Sequence, residues 1–293
     1  VNKEIFTIQQ SSHSGLEPES SGFLTRLWIP AFAGMTFITQ EGIMINEDPW
    51  VNLRKYTKAR IALGRAGTAL TTAELLRFRL DHARARDAVV KDLDLEAVRT
   101  SLAKYALPIV EVTSQARDRN EYLRRPDLGR RLSRESGELL QRSRGDHDIS
   151  LIAADGLSSQ AIETNLVPFL DVLLPQLRAG RFSLAPFCLV QQGRVAIGDD
   201  IGSMVNAKMT VVMIGERPGL SSPDSMGIYI TYGPAPGLTD ERRNCISNVR
   251  AAGLSYSAAA LKLLYLIRES LRLKLSGVQL KDSEDIRQVR SVT

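Results

Sequence analysis

The sequence predicts an α/β protein in which a small helical domain precedes a mostly parallel sheet. Three observations carry that prediction. From residue 147 to the end at 293, continuous apolar runs such as SLIAA, FCLV and TVVMI alternate with segments of helical period. That is the texture of parallel strands buried on both faces. Residues 44–146 are instead helical in pattern and rich in arginine, and residues 1–43 hold no sustained period of 3.6 or 2.

Each element follows in order. Residues 1–43 mix Ser, Gly and Pro with isolated apolar residues, and LEPESSGFLTRLWIPAFAGMT resembles peptides read through dispersed bacterial DNA repeats. We expect the natural start at Met44 and treat the extension as dispensable or spurious. TTAELLRFRLDHARARDAVV reads as a helix with Leu76, Leu80 and Ala83 on one face, Thr71 or Thr72 as cap and Glu74 in its first turn. DLEAVRTSLAKYAL is a second helix, stopped by Pro108, and PIVEVTS a short strand or extended linker. RPDLGRRLSRESGELLQRS resumes helix with Asp127 as cap.

Beyond residue 146, DISLIAADG, SLAPFCLVQQ, MTVVMIGE and SMGIYITYG read as strands. SSQAIETNLVPFLDVLLPQLRAG and DDIGSMVNA read as helices between them. TDERRNCISNVRAAG reads as a helix capped by Thr239, and SYSAAALKLLYLIRESLRLKLSG as a long helix closed by Gly277.

Composition narrows the function. With 43% hydrophobic and 24% charged residues, the 293-residue chain is long enough for a full core. No apolar run reaches the roughly 20 residues of a membrane span, and VNKEIFTIQQ lacks the layout of a secretory signal. Cys188 and Cys245 make neither a disulfide framework nor a metal-ligand spacing, so a cytosolic setting is expected. The net charge of +5 gathers in residues 54–67 and 117–145. Those clusters are either a surface for an acidic partner or solvated helix faces with pairs such as Arg131 and Glu135. Aromatics at 6% with no nucleic-acid motif speak against nucleic acid as the partner.

Several chemistries drop out. There is no GxxxxGK[ST] loop, no GxGxxG after a strand, no HExxH and no DxHxxG. His13, His82 and His147 belong to no visible triad or ligand set, so neither a catalytic set nor a metal site is expected in this chain. Ligands on open α/β sheets bind outside the carboxyl ends of the strands, and Asp155 and Glu216 fall there. Asp155-Gly156-Leu157-Ser158-Ser159 is a strand-turn-helix junction in which either serine can cap the helix. Glu216 ends an apolar strand before a turn stiffened by Pro218, which makes it a fixed acceptor for N–H donors or, on the plainer reading, a salt-bridge partner of Arg217 or another nearby basic residue. Cys245 by its chemistry reads as a small packed residue.

GRAG (64–67), LRFRLDHARARD (76–87), YLRRPDLGRRL (122–132), DGLSSQAI (155–162), GRVAIGDDIG (193–202), GERPGL (215–220) and CISN (245–248) occur in this order. Together they closely resemble the small (light) subunit of ethanolamine ammonia-lyase, over residues 48–277. The resemblance implies a Rossmann-like domain over residues 147–293. It also implies a coenzyme-B12-dependent lyase that converts ethanolamine to acetaldehyde and ammonia by a radical rearrangement. The substrate would sit in a separate large subunit, with adenosylcobalamin held base-on between the subunits. The family's cobalamin contacts correspond to Val195, Glu216 and Cys245, and the arginine-rich segment 44–146 would meet the large subunit. Both the free cytosol and a bacterial microcompartment are compatible with such a complex. Two readings from other classes stand beside it: a Rossmann-like nucleotide-binding regulatory or scaffold protein without a lyase partner, and an RNA-binding helical domain, which would bind RNA in a salt-sensitive way.

Overall fold

A computed structural model describes residues 48–281. The expectations for residues 1–43 and for a start at Met44 therefore lie outside the described residues. The chain divides into two compact units, residues 1–82 and 83–293.

In the first unit a short 3-10 turn, Val51–Lys55, precedes helix α1, Thr72–Val90, which continues into the second. Glu74 is buried and gathers Arg54 (3.0 Å) and Arg77 (2.7 Å), while Arg60 reaches Asp81 at 3.5 Å. Part of the basic cluster is thus consumed internally. Leu76 and Leu80, expected to face a core, are 58% and 50% exposed. Their helical spacing is real, but the surface they would cover is not supplied within this unit.

The second unit is a mixed α/β structure. In chain order it contains α2 (Leu95–Leu102), β1 (Ile109–Thr113), α3 (Arg119–Arg124), α4 (Pro126–Gly129), α5 (Arg134–Gln141), β2 (His147–Ala154) and α6 (Ser159–Ala179). Then come β3 (Phe187–Gln191), α7 (Ile197–Val205), β4 (Ala207–Gly215), β5 (Met226–Tyr232), β6 (Arg243–Val249) and α8 (Tyr256–Leu273). Side chains of Asp94, Asp118, Ser133, Ser158 and Ser255 cap α2, α3, α5, α6 and α8 by accepting an otherwise orphaned N–H. Asp127, expected as a cap, instead sits in the first turn of α4 and pairs with Arg125 at 2.6 Å. Arg131 precedes α5 and pairs with Asp200 at 3.4 Å rather than with Glu135.

The sheet order is β1-β3-β2-β4-β5-β6. The first four strands are parallel; β5 and β6 run antiparallel to β4 and β5. The segment PIVEVTS is therefore a sheet strand, and the sheet draws on residues before 147. Helices α2, α6 and α8 pack with one face, through Phe169, Leu173, Leu263 and Ile267, all fully buried. Helices α5 and α7 pack with the other through Leu140, Ile197, Ile201 and Val205. Both faces of the parallel strands are covered, which is why their sequences are continuously apolar.

One element differs in kind. TDERRNCISNVRAAG forms a 3-10 turn, Asp240–Arg242, and then strand β6, not a helix. Ile246 faces Ile228 while Val249 faces Met226, so β6 carries one extra residue across that interval. This bulge places buried Ile246 and Val249 three apart, and a spacing of three imitates a helix. The long last helix also ends earlier than expected, at Leu273, where Lys274 turns left-handed (φ 56°); Gly277 lies beyond it.

Candidate functional site

The carboxyl ends of the parallel strands form one rim: Thr113, Ala154, Gln191 and Gly215. β2 hands the chain to α6 on one face of the sheet, whereas its neighbour β3 hands it to α7 on the other. Between two such loops an α/β sheet opens a crevice where ligands bind.

Here Asp155 fills that crevice. Its Oδ1 accepts the main-chain N–H groups of Gly156 (2.9 Å) and Gly193 (3.0 Å), and its Oδ2 those of Gln192 (2.9 Å) and the Arg119 guanidinium (3.3 Å). Burial pushes its carboxyl up to about 6, while Arg119 and the three N–H donors pull it back. A carboxylate so engaged is a structural anchor. Of the two serines, Ser158 is the helix cap, and its hydroxyl also donates to the Pro223 carbonyl at 2.7 Å; Ser159 donates to the Lys91 carbonyl at 2.8 Å. A Cβ on Gly156 (φ +58°) would stand 2.2 Å from the Gly215 oxygen, so the junction tolerates only glycine there.

Val195 follows immediately, in the loop between β3 and α7, half-buried against the α7 side of the core. Tyr122 is fully buried and donates from its hydroxyl to the Gly193 carbonyl at 3.0 Å. The guanidinium groups of Arg194 and Arg119 lie over its ring at 4.3 and 4.9 Å from the centroid. The Arg194 N–H reaches the Gly129 carbonyl at 2.7 Å.

Glu216 stands at the end of β4, as the sequence implied, and the plainer reading of a salt bridge to Arg217 is not what holds it. Its main-chain N–H donates to the Ser225 carbonyl at 2.9 Å. Its Oε2 accepts the Ser225 hydroxyl and the Asn248 main-chain N–H, the latter at 3.2 Å. No hydrogen bond among the described residues reaches Oε1. Asn248 belongs to the β6 bulge and has a left-handed backbone (φ 59°), which turns its N–H toward the carboxylate.

Cys245 is exposed on β6, directly opposite Tyr229 on β5, with its thiol 3.4 Å from the Ser247 hydroxyl. Tyr229 is partly buried, and burial, with Cys245 and Glu216 beside it, pushes its phenol above the ordinary range. The close approach of Gly227 completes the cluster: a Cβ there would meet Glu216 Oε1 at 3.0 Å and the Tyr229 ring at 3.1 Å. Glu216 and Cys245 thus flank Tyr229. The recess beside Cys245, about 210 Å³ and lined also by Asn244, Ser247 and Leu254, is open and too small to enclose a macrocycle.

Val195 and Cys245 are tied at a distance. Arg243, two residues before Cys245, forms a buried ion pair with Asp199, four residues after Val195. Sequence reasoning missed Asp199, Arg243, Tyr229 and Asn248. The first two lie 44 residues apart, so no local pattern pairs them, and the last two required β6 to be recognised as a strand. Among the described residues no cluster of three His, Cys, Asp or Glu could hold a metal ion, and no helix is long and apolar enough to cross a membrane.

The family model described as ethanolamine ammonia-lyase light chain (EutC) matches residues 47–281. The chain is 53% identical over 244 residues to the ethanolamine ammonia-lyase small subunit of Azotobacter vinelandii, covering 82% of this chain and 90% of that one. It is 52% identical over 249 residues to the small subunit of Pseudomonas fluorescens, covering 84% and 91%. Against the small subunit of Pseudomonas aeruginosa the identity is 51% over 244 residues, covering 82% and 89%. A family match over residues 47–281, with about half the residues identical to each of these small subunits, is decisive: the chain belongs to the ethanolamine ammonia-lyase light chain family.

Proposed function

We propose that this chain is the small subunit of an adenosylcobalamin-dependent ethanolamine ammonia-lyase, and that it holds the coenzyme against a large subunit that carries the substrate. The single observation that carries the coenzyme part is the state of Glu216. One carboxylate oxygen is held by Ser225 and Asn248 and the other is left to accept. The rim of a corrin carries amide side chains, whose N–H groups need acceptors of this kind. Cys245 and the ring of Tyr229 offer a partly exposed surface beside it, and Val195 an apolar contact from the α7 loop. The residues present therefore fit the group.

When bound, the coenzyme supplies the radical chemistry. This chain's part is to bind and orient it and to keep water from one side of it. The parallel strands β1, β3, β2 and β4, with α6 and α7 on opposite faces of the sheet, support a Rossmann-like description. Exposed Leu76 and Leu80, among the arginines of α1, support a docking role toward the large subunit for that helix.

The test is co-expression with the cognate large subunit, followed by ethanolamine deamination with and without adenosylcobalamin. The complex should turn over only with coenzyme, and the purified chain with coenzyme alone should not turn over. Turnover by the rigorously purified chain would overturn the division of labour.

A further inference from the structure

We propose that Asp155 is a positioning residue for coenzyme binding: it fastens the loop 192–195 to the end of β2 and so sets where Val195 stands. The inference rests on the coenzyme reading above. Three features of the loop carry it. Gln192 has a left-handed backbone (φ 58°), a conformation that an ordinary side chain enters only under constraint. The constraint is visible: Asp155 takes the N–H of Gln192 on one oxygen and that of Gly193 on the other, at 2.9 and 3.0 Å. The loop also lies tightly on the strands, since a Cβ on Gly193 would stand 2.9 Å from Val190 Cγ1 and 3.0 Å from Ala154 Cβ.

Arg119 completes the device from the other side. It donates to Asp155 at 3.3 Å and to the Gly156 carbonyl at 2.8 Å, and it shares the Tyr122 ring with Arg194 of the same loop. Asparagine at 155 would keep one acceptor and turn its NH₂ toward main-chain donors. The loop would lose half its anchor while the strands stayed paired. Val195 is two residues from the nearer anchored N–H, so any slack passes to it directly.

The experiment uses the assembled complex with its large subunit and titrates it with hydroxocobalamin, following absorbance. The expected result is that Asp155→Asn raises the dissociation constant on the order of tenfold, with the KM for ethanolamine little changed. Gly193→Ala, which displaces the same loop without touching the carboxylate, should do likewise. Asp155→Asn should add little to Val195→Ala, because both act at one place, but should add fully to Glu216→Gln, which acts at another strand end. A merely structural role would leave the first pair additive. Unchanged affinity in both Asp155→Asn and Gly193→Ala, or full additivity of Asp155→Asn with Val195→Ala, overturns the proposal while leaving the coenzyme reading intact. If Val195→Ala and Glu216→Gln both leave hydroxocobalamin affinity unchanged, the coenzyme reading itself falls, and this inference with it. Should Asp155→Asn fail to assemble, Gly193→Ala with Val195→Ala decides by the same additivity criterion.

Discussion

The main-chain N–H of Asn248, on the bulge of the outermost strand, donates to Oε2 of Glu216 at the end of β4 across 3.2 Å. Two strands that do not pair with each other are thereby joined at the rim, around the end of β5 between them. The bond exists because Asn248 adopts a left-handed backbone, φ 59°. Asparagine tolerates that region and glycine is at ease in it, whereas a β-branched residue is not. Asn248→Gly should therefore keep coenzyme affinity within a few-fold, and Asn248→Val should lower it and the melting temperature of the complex together. Equal behaviour of the two variants would show that the bulge does not place Glu216.

Arg243 and Asp199 form an ion pair buried within the protein, and Arg243 also donates to the carbonyls of Thr239 and Leu238. Burial pushes the Asp199 carboxyl up to about 6 against the pull of Arg243. Removing one member of such a pair strands the other, at about 3–5 kcal/mol. Asp199→Asn and Arg243→Met should each lower stability on that scale in chemical denaturation of the complex, and the double variant should recover a good part of the loss. Simple addition of the two losses would mean that the pair is not coupled.

Asp155 gives a pH signature whose sign can be worked out. Its carboxyl is raised from an ordinary 3.8 to about 6 by burial. Between those values the folded chain binds more protons than the unfolded one, so this group's contribution to stability is full below about pH 4 and falls as pH rises to about 6. Arg119 is the charged group that faces it, and Tyr122 stays neutral throughout, its phenol raised by burial. The melting-temperature difference between wild type and Asp155→Asn should shrink from pH 4 to pH 6 and then hold constant. A difference that stays flat or grows over this interval would mean that the carboxyl is not raised above its ordinary value.

Much of this architecture was legible in advance, and the failures have physical causes. β2, β3 and β4 announce themselves because burial on both faces leaves no polar alternation. β6 does not, because its bulge turns a period of two into a spacing of three, and a threonine before acidic residues imitates a helix cap. Leu76 and Leu80 carry the right spacing but stand exposed, since periodicity reports an apolar face and not what covers it. Asp155 and Glu216 were both placed correctly at strand ends, yet only Glu216 keeps an accepting oxygen. Which carboxylate was already engaged depended on the loop 192–193, distant in sequence from Asp155.

Gly227 offers a steric probe of the same site. An added Cβ would press on Glu216 Oε1 at 3.0 Å, its Cγ at 3.1 Å and the Tyr229 ring at 3.1 Å, side-chain atoms that can shift. Gly227→Ala should leave the complex assembled while weakening cobalamin binding several-fold. Unchanged binding with an intact fold would place the coenzyme elsewhere.

The most direct measurement is the affinity of the assembled complex for cobalamin in Glu216→Gln and Glu216→Ala. Glutamine keeps one carbonyl acceptor and loses the charge. A charge-assisted hydrogen bond of roughly 1.5–3 kcal/mol then falls back to about 0.5–1.5 kcal/mol. The difference, on the order of 1 kcal/mol, is several-fold in affinity. Alanine removes the acceptor and should weaken binding further. Both variants should assemble normally and show a raised apparent KM for adenosylcobalamin with that for ethanolamine much less changed. Normal cobalamin affinity of the assembled complex in both variants would contradict the account, and failure of both to assemble would make Glu216 an interface residue.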